Sequence, residues 1–201
     1  FGNLVDPSGG FSDVIRKQIK IHHPGSFEDD PTRLFRAVKY STRLGYKIGK
    51  STQEAFENSI EKIDLLSGTR VRNELVSIFH ESQAGDILRE MEQQGLVAAI
   101  SPALRINSRS IEQFEQLPSN ASLITRLAVL TCGMNAEEAN TASDRLDGGK
   151  EWHDGIFGMA KLGEIASVLD QDNLKNSEIV DLLSGIHPDT VRAYVLRSEE
   201  H

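Results

Sequence analysis

Apolar residues recur three and four positions apart along most of the chain, with little of the alternation or β-branched enrichment that strands require. The pattern therefore predicts helix after helix and an all-α fold. The best-defined helix covers residues 31–44. Asp30 stands before it as a capping acid, Pro31 takes the first helical position, and Gly45 supplies a left-handed terminator. Further helices are predicted near 51–63, 68–80, 83–94 (closed by Gly95), 109–117, 121–132, 135–146, 151–169, 175–184 and 187–198. The opening is different. Asp6-Pro7-Ser8-Gly9-Gly10-Phe11-Ser12-Asp13 packs turn formers too densely for a helix and leads into a short apolar and basic element from Val14 to Ile21. Asn107–Ser110 and Asp147–Lys150, the latter with Gly148-Gly149, are the predicted loops or linkers. The chain then divides into a junction segment 1–26, a helical domain 27–104 and a second helical domain 105–201, with no internal repeat.

The 201 residues, 38% of them hydrophobic and 26% charged, suit one medium or two small folded domains and exclude a disordered chain. No apolar run approaches the ~20 residues of a membrane span and no signal peptide is visible, so a soluble, cytoplasmic protein is expected. The single Cys132 reads as a buried small hydrophobe. The chain opens on Phe1 without an initiator Met, which predicts a piece excised or cleaved from something longer.

Charge changes the picture because it is uneven. The net charge is −8, yet residues 1–80 carry 12 basic and 10 acidic side chains while residues 81–201 carry 10 and 20. Arg33, Arg36, Lys39, Arg43, Lys47 and Lys50 follow one another with no acid between them, a cationic stretch suited to an anionic ligand. On the helix at 31–44 the first four of these fall within an arc of about 120°, opposite Leu34, Phe35, Ala37, Val38 and Leu44. Asp30 and Arg33, three apart at the helix start, can present a carboxylate beside a guanidinium. Cytosine and adenine each offer an amino donor next to a ring-nitrogen acceptor, and uracil and guanine offer the reverse. Such a pair would accept C and A and refuse U and G. The plainer alternatives are a solvated charged face, with Asp30 only capping and Arg33 pairing with Asp29 or Asp30.

The segments Asp6-Pro7-Ser8-Gly9-Gly10-Phe11-Ser12-Asp13-Val14, Phe27-Glu28-Asp29-Asp30-Pro31-Thr32-Arg33-Leu34-Phe35-Arg36-Ala37-Val38-Lys39-Tyr40, Arg43-Leu44-Gly45-Tyr46-Lys47-Ile48 and Thr69-Arg70-Val71-Arg72-Asn73-Glu74-Leu75 together resemble the class II tRNA nucleotidyltransferase and bacterial poly(A) polymerase family. Order and spacing agree with the family patterns D-x-x-G-G-x-x-D-L, E-D-P-x-R-x-x-R-A-x-R, R-x-G-F-x-I and E-R-I-x-x-E-L. The resemblance implies an elongated array of neck and body helices. It also implies that Asp30 and Arg33, with Arg36 in the base-binding set, template the incoming base, supported by Asp29. Asp6 to Asp13 would bridge a catalytic head to the neck, and Arg70 and Glu74 would buttress it.

There are departures from the family. Asp29 replaces the usual Glu, Val14 and Val71 replace Leu and Ile, and Thr69 replaces a Glu, so Thr69 cannot supply that carboxylate. The resemblance is clear to about residue 80 and fades beyond it. The resemblance places the family's metal-binding D-x-D strand and Arg-Arg-Asp segment upstream of Phe1. The family's chemistry is a two-metal phosphoryl transfer. The resemblance thus implies Mg²⁺ held by head carboxylates outside this chain, ATP and CTP as substrates, a tRNA or other RNA 3′ end as partner, and no activity in the chain alone.

Outside these motifs, His153-Asp154 hints at an HD-type metal site, but further ligands are not evident and Thr131-Cys132-Gly133 stands where another His-Asp would be needed. His22-His23 reads as a solvated loop and Trp152 as a packing anchor or a base-stacking ring. Three functions compete: the base-selecting and RNA-binding portion of a tRNA nucleotidyltransferase adding CCA or A, the same portion of a bacterial poly(A) polymerase, and a non-catalytic helical RNA-binding or interaction module.

Overall fold

The structure is a computed structural model that describes residues 5–198 except 105, 170 and 172; Phe1 lies outside the described residues. It begins with α1 (Gly10–Ile15), the two-residue strand β1 (Gln18–Ile19), α2 (Ser26–Asp29) and α3 (Thr32–Leu44). Strand β2 (Lys47–Ile48), α4 (Lys50–Ser59), a 3-10 turn at Ile60–Leu65, α5 (Gly68–Phe79), α6 (Ala84–Gln93) and α7 (Leu96–Ile100) follow. The remaining helices are α8 (Ser108–Gln116), α9 (Leu123–Leu130), α10 (Ala136–Leu146), α11 (Gly149–Leu169), α12 (Asn176–Leu183) and α13 (Pro188–Ser198). The all-α class holds. The strands form one parallel pair in which Gln18 faces Lys47 and Ile19 faces Ile48.

Burial explains the arrangement. Leu34, Phe35 and Val38 of α3 are fully buried, as are Ile78 of α5 and Ile87 and Leu88 of α6, because each helix carries its apolar side chains on one stripe. α3 packs on α5 and α6, α6 on α8, and α8 on α9. α11 packs on α9, α10 and α13, α13 packs on α9, and α10 returns to α5. One continuous apolar cluster runs from Phe27 to Ala193. Cys132 is half-buried against it rather than fully inside. Among the described residues no helix is long and apolar enough to cross a membrane.

Several boundaries differ from the sequence pattern, each for a local reason. The turn-rich start does hold a helix, α1. Both carboxylate oxygens of Asp6 accept first-turn N–H groups, from Gly10 and Phe11 at 2.9 Å each, and Gly9 enters at φ 72°. The predicted loop at 107–110 is a helix start, where Asn107 accepts from Ser110 N while Ser110 Oγ accepts from Asn107 N. The loop at 147–150 shrinks to its first two residues: Asp147 ends α10 at φ 46° and α11 already includes Gly149 and Lys150. The helix predicted at 51–63 gives way to the 3-10 turn after Ser59, and α7 begins immediately after the left-handed Gly95.

Candidate nucleotide-binding site at the start of α3

The site begins where α2 hands over to α3. Asp30 is extended (φ −149°, ψ 94°) and Pro31 already helical (φ −61°), so Asp30 is placed to cap. Its Oδ1 accepts from Thr32 N at 3.2 Å and from Thr32 Oγ1 at 2.7 Å, which makes the cap real. The same oxygen accepts from Arg70 Nη2 of α5 at 2.8 Å, so the ion pair of Asp30 runs to Arg70 and not to Arg33. Arg33 instead donates from Nη1 to Ser26 O at 3.1 Å and Ser26 Oγ at 2.8 Å, with Ser26 buried. Asp29 faces His23 Nε2 at 3.3 Å, so Arg33 pairs with neither neighbouring acid. Asp30 Oδ2 and the Nε and Nη2 of Arg33 remain without a hydrogen bond among the described residues.

α5 holds this helix along its length. Arg36 Nε and Nη2 donate to Glu74 Oε1 at 3.3 Å, Lys39 Nζ donates to Ser77 Oγ at 2.9 Å, and Arg43 Nη1 donates to Glu81 Oε1 at 3.3 Å. The constant offset of 38 residues shows α3 and the α5 segment running parallel. This corrects the picture of an open cationic face: Arg36 and Arg43 are matched by acids and Lys39, 7% exposed, is buried. Arg70 donates to Asp30 and Glu74 accepts from Arg36, so both side chains of α5 contact this end of α3. Asp6 caps α1, and Asp13 pairs with Lys20.

Beside Arg33 and Arg36 lies a cleft of about 450 Å³ floored by Ile19, Ile21, Phe27 and Ala37 and edged by Tyr40, Lys20, His22 and His23. The aromatic ring of Tyr40 carries the Arg43 guanidinium at 4.8 Å from its centre. Ser26 and Thr32 are site residues that sequence reasoning missed; the only signal was a hydroxyl residue immediately after Asp30-Pro31. Trp152 is 5% exposed under Arg72 and is a packing residue. His153 stacks on Phe157, and Asp154 accepts from Lys150.

Burial pushes the Asp30 carboxyl up, but the Thr32 hydroxyl and amide and the Arg70 guanidinium outweigh it, so it lies below the ordinary carboxylate value. A depressed carboxyl contributes stability that is present above the unfolded value and lost as pH falls through the folded one. Carboxyl ¹³C shifts should place the Asp30 midpoint below the ordinary aspartate value, and Arg70→Ala should raise it. An unchanged midpoint in that variant would refute the pairing.

Among the described residues no group of three or more His, Cys, Asp or Glu side chains converges to hold a metal. The one D-x-D spacing in the chain, Asp170-Gln171-Asp172, follows helix α11 instead of a Gly-Ser turn, and its two acids lie outside the described residues.

Residues 45–106 match the family described as the probable RNA and SrmB-binding site of polymerase A. Over 139 residues the chain is 32% identical to an A-adding tRNA nucleotidyltransferase of Geobacter sulfurreducens, covering 68% of this chain and 16% of that protein. A CCA-adding enzyme of Alteromonas mediterranea is 26% identical over 72% of this chain and 46% of its own length. Among solved structures, the Thermotoga maritima CCA-adding enzyme complexed with tRNA superposes with a TM-score of 0.74 at 22% identity, over 96% of this chain and 50% of that one. The chain thus spans half or less of the length of these relatives. The matched RNA-binding region, the tRNA nucleotidyltransferase relatives and the shared helical architecture support reading the chain as similar to the helical C-terminal portion of a class II tRNA nucleotidyltransferase.

Proposed function

We propose that the start of α3 selects the incoming base for a nucleotidyltransferase that extends tRNA 3′ ends with CCA or A, with ATP and CTP as its substrates. One observation carries the reading. Arg70 and Thr32 engage Oδ1 of Asp30 and Ser26 engages Nη1 of Arg33, leaving one carboxylate oxygen and two guanidinium nitrogens unengaged and held in place. The unengaged oxygen accepts from the exocyclic amino group of C or A, and the guanidinium donates to the adjacent ring nitrogen. Uracil and guanine would set donor against donor and acceptor against acceptor, leaving half-buried polar groups unmatched. The Mg²⁺ chemistry is assigned to a head domain outside these residues. Residues 27–104 form the neck that reads the base, and residues 105–201 form the body and tail that meet the RNA.

In a full-length enzyme carrying this neck, Asp30→Ala or Arg33→Ala should relax base choice. The loss is about 1 to 3 kcal/mol of discrimination, or about tenfold to a hundredfold in relative kcat/KM, with primer binding nearly unchanged. Incorporation of all four nucleotides is measured beside the melting temperature. Variants that melt lower yet still refuse U and G would reduce the pair to a helix cap and its neighbour, as a non-catalytic module requires. The match to the polymerase A family supports poly(A) addition as a second reading, separated by the number and order of nucleotides added to tRNA.

A further inference from the structure

Asp30 and Arg33 share the turn that opens α3, with Arg33 N donating to Asp30 O at 3.0 Å. Opposite charges three residues apart on a helix attract one another, so a direct ion pair is the default for this sequence. That pair would join Oδ2 of Asp30 to Nε and Nη2 of Arg33, the same atoms that base reading needs. The structure holds the two side chains apart, and their polar bonds run to Thr32 and Arg70 on one side and to Ser26 on the other.

Ser26 opens α2 and is 5% exposed. Its Oγ and its carbonyl oxygen accept from Nη1 of Arg33 at 2.8 and 3.1 Å. The same carbonyl accepts from Asp30 N at 3.4 Å, so one residue touches the main chain of the acid and the side chain of the arginine. α2 has only four residues, yet the core fixes it: Phe27, next to Ser26, is 1% exposed and meets Phe56 edge to face, ring centres 5.8 Å apart. The anchor for Arg33 is therefore set by core packing and does not depend on a bound nucleotide. Of its two bonds, the one to the hydroxyl is the shorter, and both are charge-assisted.

We propose that Ser26 is a positioning residue that draws the Arg33 guanidinium onto α2 and so keeps it from closing on Asp30. The proposal rests on reading the pair as the base selector. Without the hydroxyl, Arg33 keeps only the longer bond to the carbonyl and swings to Oδ2 of Asp30. The two side chains then satisfy each other and offer a base nothing.

The test follows the Asp30 carboxyl by ¹³C shifts in the chain, and base choice in a full-length enzyme carrying this neck. Ser26→Ala should lower the Asp30 midpoint, because the charge of Arg33 is added to that of Arg70. In an Arg33→Ala background the same change should leave the midpoint in place, since no guanidinium remains to swing. Ser41→Ala is the control for losing a buried hydroxyl from this region: Ser41 is 8% exposed and donates to Val38 O at 2.9 Å, so its loss should lower the melting temperature but move neither the midpoint nor base choice. In the full-length enzyme Ser26→Ala should reduce the preference for ATP and CTP over UTP and GTP by about tenfold in relative kcat/KM. A midpoint that stays or rises in Ser26→Ala, or that falls equally without Arg33, overturns the proposal. A midpoint that falls only with Arg33 present, beside unchanged base choice, keeps Ser26 as the anchor of Arg33 and removes the base reading.

Discussion

Arg145→Ala should lower stability by about 3 to 5 kcal/mol, more than any substitution at the base site. Arg145 lies on α10, yet its guanidinium donates from Nε to Ile100 O at 3.0 Å, from Nη1 to Leu66 O at 3.0 Å and from Nη2 to Ile63 O at 2.8 Å. Ile100 ends α7 and Leu66 caps the 3-10 turn, so their carbonyls have no intrahelical donor, while Ile63 O within the turn accepts from Leu66 N as well. One planar cation reaches all three, and alanine would leave the part-buried Ile100 O and Leu66 O unmatched. Arg145→Lys should recover little, because an ammonium lacks the fork that reaches three directions. Thermal melts at neutral pH should show a fall of about 10 °C for alanine, and a fall below 2 °C would mean that water replaces the guanidinium.

Arg145 also illustrates what the amino-acid sequence could not reveal. Elements with strong periodicity and end signals were legible: α3 runs Thr32–Leu44 between Asp30-Pro31 and a left-handed Gly45, as its residues predict. Elements defined by a single side-chain contact were not. α1 exists because the Asp6 carboxylate takes two first-turn amides, and nothing in a Gly-rich run announces that. At the candidate site the identities were legible and the partners were not. Asp30 and Arg33 stand out three residues apart, but Asp30 engages Arg70 forty residues on, and Arg33 turns back to Ser26. The six cations from Arg33 to Lys50 looked like one anionic-ligand surface because their partners Glu74 and Glu81 lie on or just beyond another helix. Parallel packing of α3 and α5 decides which cations are matched, and that packing follows from the apolar stripes of both helices rather than from charge order along the chain.

The same packing makes Gly68→Ala the second large effect. Gly68 opens α5 against the end of α10, and a Cβ there would lie 2.5 Å from Arg145 O, 2.7 Å from Asp147 Cβ and 2.9 Å from Leu146 C. Two of these three atoms belong to backbone, so the clash is relieved only by moving one helix end away from the other, at about 2 to 4 kcal/mol. The movement would stretch the contacts that fasten the two ends, Arg72 Nη1 to Leu146 O at 2.9 Å and Thr69 Oγ1 to Asp147 Oδ2 at 3.3 Å. Arg70 lies between those two residues, so displacing the start of α5 also loosens its bond to Asp30. The variant should melt lower and should raise the Asp30 carboxyl toward its ordinary value, two readouts that a purely local clash would not couple. Gly163→Ala is the matched control: it lies within α11, nothing approaches its Cβ within 4 Å, and the added methyl should hold or raise stability by up to about 1 kcal/mol. A Gly68→Ala protein that melts with the Gly163→Ala protein would show that the ends of α5 and α10 part freely, and the Asp30–Arg70 pair would then owe nothing to that contact.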